Sequence, residues 1–206
     1  MADNQNYVFE NETELSAVNS ILASIGQSPV TTVEFTNPEV YLVYKVFTET
    51  VRDVLNEGWV FNTDYEYELT PDSDNFILIP RTALSVDVCG MSTLKYPDTV
   101  MRDGQLYDRY NKSNEFTETV TVNIKWSLDF DTLPSAIQRY IEARAAVRAA
   151  AQMINNAELY KLLMAEEGKH RANCMEFECN QGDYSMLGTP KGGSYRTFMP
   201  YHALIR

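Results

Sequence analysis

The spacing of apolar residues changes twice along this chain, and that change restricts the folds open to it. Apolar side chains recur at helical spacing at both ends, whereas the middle third contains short β-branched and aromatic runs. Two helices from each end can pack as one bundle only if the strands leave and re-enter it near one point. The pattern predicts an α+β fold: a four-helix bundle-like domain from residues 1–58 and 131–187, an inserted antiparallel β domain from 59–130, and an extended C-terminal tail from 188–206.

Residues 12–30, ETELSAVNSILASIGQSPV, predict a short amphipathic helix. Asn11 or Thr13 can cap its start, and Gly26 followed by Pro29 ends it. Its apolar stripe consists of Leu15, Val18, Ile21, Leu22 and Ile25.

The second predicted helix has the clearest periodicity of the chain. Asn37 supplies a capping side chain, Pro38 suits the first helical position, and Glu39 favours the positive end of the helix dipole. The helix should end at Gly58. Its inward stripe consists of Val40, Val43, Tyr44, Phe47, Val51, Val54 and Leu55.

The middle third predicts a small, mainly antiparallel β region. Asp103-Gly104 indicates a hairpin turn between Val100 and Tyr107, because these residues tolerate the positive φ of a tight primed turn. The aromatic residues Trp59, Phe61 and Trp126 are expected in the core or at the domain junction. The strand-like runs are Trp59–Phe61, Tyr65–Leu69, Phe76–Ile79, Leu84–Val88 and Val120–Trp126.

Two further helices are predicted after Pro134. Residues 135–151 contain seven alanines, which permit another helix to approach closely. This alanine-rich helix is therefore a candidate for contact between chains. The last helix should run from about Ala157 to Cys179, with Leu159, Leu162 and Leu163 facing inward.

Composition excludes several classes of protein. The 206 residues suffice for one or two domains, and no window of about 18 apolar residues predicts a transmembrane helix. The first residues lack the basic and apolar regions of a signal peptide, so secretion is not expected. Three cysteines, Cys89, Cys174 and Cys179, give no disulfide framework and fit a reduced, cytoplasmic setting.

Charge is strongly acidic and unevenly distributed. Seventeen basic against 29 acidic residues give a net charge of −12, which disfavours tight nucleic-acid binding through a basic face. Residues 64–74 contain five acids and no base, whereas 188–206 contain three bases and no acid. An acidic body with a basic, aromatic tail indicates a partner for the tail.

The tail supplies the candidate binding residues. It has no core of its own, and aromatic residues with arginine are frequent anchors of protein interfaces. Plain disorder of the tail is the alternative. The candidate docking residues are Lys191, Tyr195, Arg196, Phe198, Tyr201 and Arg206.

No arrangement of residues predicts catalysis, a metal site or a cofactor. Glu166, His170 and Cys174 share one face of the last helix, but a metal would need further ligands from elsewhere, and Cys179 lies half a turn away. Three acid pairs leave a glycoside hydrolase open as an alternative. Such an enzyme needs two carboxylates that face each other across a cleft, and the sequence does not show whether any pair does so. These pairs are Asp129/Asp131, Glu166/Glu167 and Glu176/Glu178. Gly192-Gly193-Ser194 is not a phosphate-binding loop, because the Gly-Lys-Ser/Thr that completes such a loop is absent downstream.

Several separated segments resemble the tail tubular protein A family of short-tailed bacteriophages (podoviruses). The likeness begins in residues 12–30 and extends over most of the chain. The remaining segments are Gly58-Trp-Val-Phe-Asn62, Asp108-Arg109, Thr121-Val-Asn-Ile124 and Cys174-Met-Glu-Phe-Glu178.

This resemblance implies a structural, non-enzymatic virion protein that is made in the host cytoplasm. The family forms a twelve-fold adaptor ring, or head-to-tail connector, between the portal protein and the tail nozzle (tail tubular protein B). Double-stranded DNA passes through its lumen during ejection without specific binding, and no membrane is involved. The alternatives are a tail-associated cell-wall glycoside hydrolase and a small non-viral binding module.

Overall fold

The computed structural model describes residues 13–32, 37–90, 92–154 and 156–182. It is an α+β fold, as the sequence predicts. The helices are α1 (Glu14–Ser24), α2 (Pro38–Glu57), α3 (Ser92–Lys95), α4 (Ser135–Met153) and α5 (Ala157–Gly182). The strands are β1 (Thr63–Leu69), β2 (Ala83–Val88), β3 (Thr99–Arg102), β4 (Gln105–Asp108) and β5 (Val120–Trp126).

The first two helices begin where their capping residues predict. The Thr13 hydroxyl accepts a hydrogen bond from the Ser16 amide at 3.3 Å, and the Asn37 side chain accepts one from the Glu39 amide at 3.0 Å. Thr13 is thus the cap of α1.

The helical core is built around α4, which contacts α1, α2 and α5. Phe47 of α2 is fully buried and meets Phe130 edge-on, with ring centroids 4.9 Å apart. The predicted inward residues of α2 are confirmed, although Tyr44 and Val51 are only half-buried. Trp59 also belongs to this core, and its indole N–H donates to the Val54 carbonyl at 2.7 Å.

A three-stranded antiparallel sheet with the order β1-β5-β2 and a separate β3–β4 hairpin form the β region. The hairpin turn is confirmed: Asp103 has φ 52° and Gly104 has φ 75°. A second buried cluster lies under these strands, distinct from the helical one. It comprises Leu69, Ile77, Ile79, Ala83, Tyr96, Leu106, Phe116, Val120, Val122 and Ile124.

Two of the predicted strand-like runs are wrong. Trp59–Phe61 does not form a strand, because the Asn62 side chain accepts from the Trp59 amide at 2.8 Å and closes a 3-10 turn over Val60–Asn62. Phe76–Ile79 forms only isolated bridges, because Phe76 pairs with Glu115 and Leu78 pairs with Gln105 of a different segment.

The domain boundaries predicted from the sequence stay a prediction, although the two buried clusters are compatible with them. At the junction, Thr63 at the start of β1 pairs with Lys125 near the end of β5. The chain therefore enters and leaves the β region at neighbouring positions.

Candidate interaction surfaces

The six predicted docking residues lie outside the part of the chain that the structure describes, which ends at residue 182. Their role stays a prediction. The set is Lys191, Tyr195, Arg196, Phe198, Tyr201 and Arg206.

The alanine-rich helix α4 is the wrong candidate for a contact between chains. Its alanines Ala145, Ala146, Ala149 and Ala150 are buried inside the chain's own helical core. They allow α1, α2 and α5 to approach α4 closely, which is the physical property that the sequence indicated. The partner helices belong to the same chain.

Helix α5 is instead the exposed helix of the bundle. Along its 26 residues only Leu163, Cys174 and Glu178 are buried. The prediction that Leu162 faces inward is wrong, since 70% of this residue is exposed. Leu163 is buried, as predicted, and Leu159 packs partly buried against the same core. Leu162 differs from Leu163 because one residue along a helix turns the side chain by about 100°.

One face of α5 was missed in the sequence because its pattern is weakly apolar. Seven residues of α5 follow one another at steps of 4, 3 and 4 residues, a pattern that repeats every 11 residues. All seven are exposed. We call this set the α5 outer face. It comprises Ala157, Lys161, Met164, Gly168, Ala172, Met175 and Cys179.

A polar network joins α5 to α2 and α4. Arg171 of α5 donates to the Tyr140 hydroxyl and forms an ion pair with Glu57 at 3.6 Å. Arg144 of α4 binds the same carboxylate and the same hydroxyl. The inner side of α5 is thus fixed, which leaves its outer face presented in one orientation.

The three residues of the possible metal site have different surroundings. Glu166 is exposed, His170 is half-buried, and Cys174 is fully buried. Burial, together with the nearby carboxylates of Glu57 and Glu178, raises the pKa of the Cys174 thiol to about 12. A thiol in this state is a poor ligand and nucleophile. Within residues 13–32, 37–90, 92–154 and 156–182, no three His, Cys, Asp or Glu side chains cluster to hold a metal ion.

Two of the acids considered for hydrolysis, Asp131 and Glu178, contribute to the fold. Asp131 accepts a hydrogen bond from the backbone N–H of Glu14 at 3.0 Å, at the start of α1. Glu178 accepts one from the backbone N–H of Val60 at 2.9 Å. These two carboxylates therefore stabilise helix starts and connections.

Strand β1 forms an exposed edge of the three-stranded sheet and carries much of the predicted acidic segment. Tyr65 is 66% exposed, and Glu66 and Glu68 form no ion pair within the described ranges. Tyr67 packs edge-on against Trp126, with centroids 5.8 Å apart. We call Tyr65, Glu66 and Glu68 the β1 acidic edge.

Sequence comparison connects this architecture to known proteins. The profile of the family described as "Tail tubular protein" matches residues 15–184, which include all the described helices and strands except the first residue of α1. The chain belongs to the tail tubular protein family. Tail tubular protein A of Klebsiella phage KP34 is 32% identical over 164 residues, which cover 75% of this chain and 86% of that relative.

A tail tubular protein is a structural component of a phage tail and is located in the virion. The family match ends at residue 184, before the candidate docking residues. In the described part of this tail tubular protein, no helix is long and apolar enough to span a membrane.

Proposed function

We propose that this tail tubular protein forms the adaptor ring between the portal and the tail nozzle. The observation that carries the proposal is the family match across both the helical and the β region. The named relative is a tail tubular protein A, and the resemblance of residues 12–30 is to the same type. Twelve copies would form the ring, with DNA passing through its lumen during ejection.

Each partner is assigned to a different part of the chain. The basic, aromatic tail, including Arg196 and Phe198, binds the portal protein. The β region binds the nozzle, and its exposed apolar side chains supply the contact area. Among these, Leu78, Leu94 and Tyr110 are each at least 60% exposed.

The acidic surface supports passage of DNA without binding. A net charge of −12 on each copy repels the phosphate backbone wherever the acids face the lumen.

Ring formation tests the proposal directly. The purified full chain is mixed with its cognate portal and imaged by negative stain, while mass photometry measures the mass of the complex. We expect a ring of twelve copies seated on the portal. A chain that stays monomeric or dimeric with the portal present would overturn the proposal, and hydrolysis of cell-wall glycan by the purified chain would favour the glycosidase.

A further inference from the structure

We propose that the α5 outer face is the surface through which one copy binds the next, and that it docks on the neighbour's β1 acidic edge. This inference rests on the proposed ring and names the contact that would hold it together. A ring requires two different surfaces on each chain, because its contacts run head to tail.

The α5 outer face has the shape that a long contact requires. An 11-residue repeat advances three helical turns with a drift of only about 20°, so its members stay nearly in line along the helix. Gly168 and Ala172 present little bulk at the centre of the line. Met164 and Met175, which are 48% and 45% exposed, stand on either side of these two residues and supply apolar area.

The helix is also long and fixed enough to serve as an interface. Its 26 residues span about 39 Å. Its inner side is held by the network of Arg171, Tyr140 and Glu57, so the outer face does not have to be ordered on binding.

Charge complementarity supports a second copy as the occupant. Lys161 lies in the α5 outer face and Lys169 beside it, and neither forms an ion pair in the part of the chain that the structure describes. Their complement is an acidic surface with an exposed aromatic residue for the methionines to contact. The β1 acidic edge offers both, with Glu66 and Glu68 beside Tyr65.

Among the charged residues of α5, Lys161 alone lies within the outer face, and the exposed acids Glu158 and Glu176 lie on the same flank of the helix as Lys169. The contact with an acidic edge therefore depends on Lys161 and Lys169, which the charge-reversal variants test.

Apolar disruption is the first arm of the experiment. The full-length variant Met164→Glu/Met175→Glu should keep the circular dichroism and melting temperature of the parent, because both side chains are half exposed. Ring assembly, measured by mass photometry with and without portal, should fall at least tenfold. Tyr41→Glu is the matched control, since Tyr41 is 49% exposed but lies in α2, and it should assemble normally.

Charge reversal is the second arm and identifies the acceptor. Lys161→Glu/Lys169→Glu and Glu66→Lys/Glu68→Lys should each weaken assembly about tenfold or more. The chain carrying all four reversals restores opposite charges across every contact and should assemble like the parent. A surface that served only the portal or nozzle would show no such rescue.

Cross-linking separates this inference from the proposed ring. A mixture of ¹⁴N- and ¹⁵N-labelled chains is treated with carbodiimide, and mixed-isotope links between Lys161 or Lys169 and Glu66 or Glu68 are expected. Rings that form without these links, or that tolerate both methionine substitutions, overturn the inference and leave the ring proposal intact. A parent chain that forms neither rings nor links overturns both.

Discussion

The carboxylate of Glu178 accepts the backbone N–H of Val60 through both oxygens, at 2.9 and 3.2 Å. These residues are 118 positions apart, and the contact ties the last turns of α5 to the start of the β region. Glu178 is buried, so the bond is shielded from water. It holds the end of α5, from which the tail continues, close to the helix–strand junction.

Glu178→Ala should therefore lower the free energy of unfolding by about 1–3 kcal/mol, because it removes a buried carboxylate that accepts from the half-buried Val60 amide. Urea denaturation measures the change. Glu176→Ala on the same helix is the control, since Glu176 is exposed, and it should stay within about 0.5 kcal/mol of the parent.

Phe47→Asp should unfold the helical core, at a cost of several kcal/mol, because it places a carboxylate at a fully buried site against Phe130. Thermal melting followed by circular dichroism measures the loss. An unchanged melting temperature would contradict the register of α2 around this residue.

Gly104→Val should destabilise the β region, because a β-branched residue resists the φ of 75° found at this position. Gly104→Asn, which tolerates this conformation, is the control. The helical signal in circular dichroism should survive, since the bundle has its own buried cluster. If that signal disappears together with the strands, the predicted separation of the two domains is refuted.

Cys174 and Cys179 should differ sharply in reactivity. At pH 8 iodoacetamide should label the exposed Cys179 in the native chain and leave Cys174 unmodified, because Cys174 is buried and its pKa is raised to about 12. Mass spectrometry of the digested protein gives the extent at each site. Equal labelling of both thiols in the folded chain would show that the α4–α5 contact opens readily.

The same pKa shift predicts a dependence of stability on alkaline pH. An unfolded thiol has a pKa of about 8.5, so the stability linked to Cys174 is complete below that pH and is lost as pH rises toward 12. Cys174→Ala should flatten the decline in unfolding free energy between about pH 9 and pH 11. Cys179→Ala, in which the exposed thiol is removed, should decline like the parent.

Removal of residues 188–206 should leave folding nearly intact and strongly weaken binding to the portal. A segment that orders on binding relies on a few anchors, so Arg196→Glu/Phe198→Ala should reproduce most of this loss. Titration of the chain with portal at two salt concentrations separates the contribution of Arg196 from that of Phe198, because added salt weakens the contribution of charge and not that of the aromatic side chain. Normal portal affinity after truncation, or loss of the fold, would refute the docking role of the tail.

Local signals in the sequence were sufficient for the helix starts and the hairpin. Thr13 and Asn37 cap helices through hydrogen bonds to residues two or three positions away, and Asp103-Gly104 forms a turn through its own backbone dihedrals. Such short-range interactions are determined by the neighbouring sequence. Phe47 was also readable, because a strong helical period fixes which side of α2 is buried.

The predictions that were wrong concern residues whose structure depends on contacts between distant parts of the chain. The turn that follows Trp59 is closed by Asn62, whose amide also donates to the Trp126 carbonyl 64 positions away. Leu162 and Leu163 are equally apolar, and only the packing of α5 on α4 decides which of them is buried. The α5 outer face was missed for a related reason: alanine, glycine and lysine give a weak apolar signal even where their spacing is regular.

The pairing of Thr63 with Lys125 has a consequence for how such proteins can diversify. Because the two ends of the intervening segment are already side by side, that segment could be exchanged for another of different length while both ends kept their positions. Recombination between phages could then alter the strands and leave the bundle unchanged. Chimaeras joined at these two residues would test the proposal that the β region binds the nozzle, because specificity for the nozzle should then move with the strands.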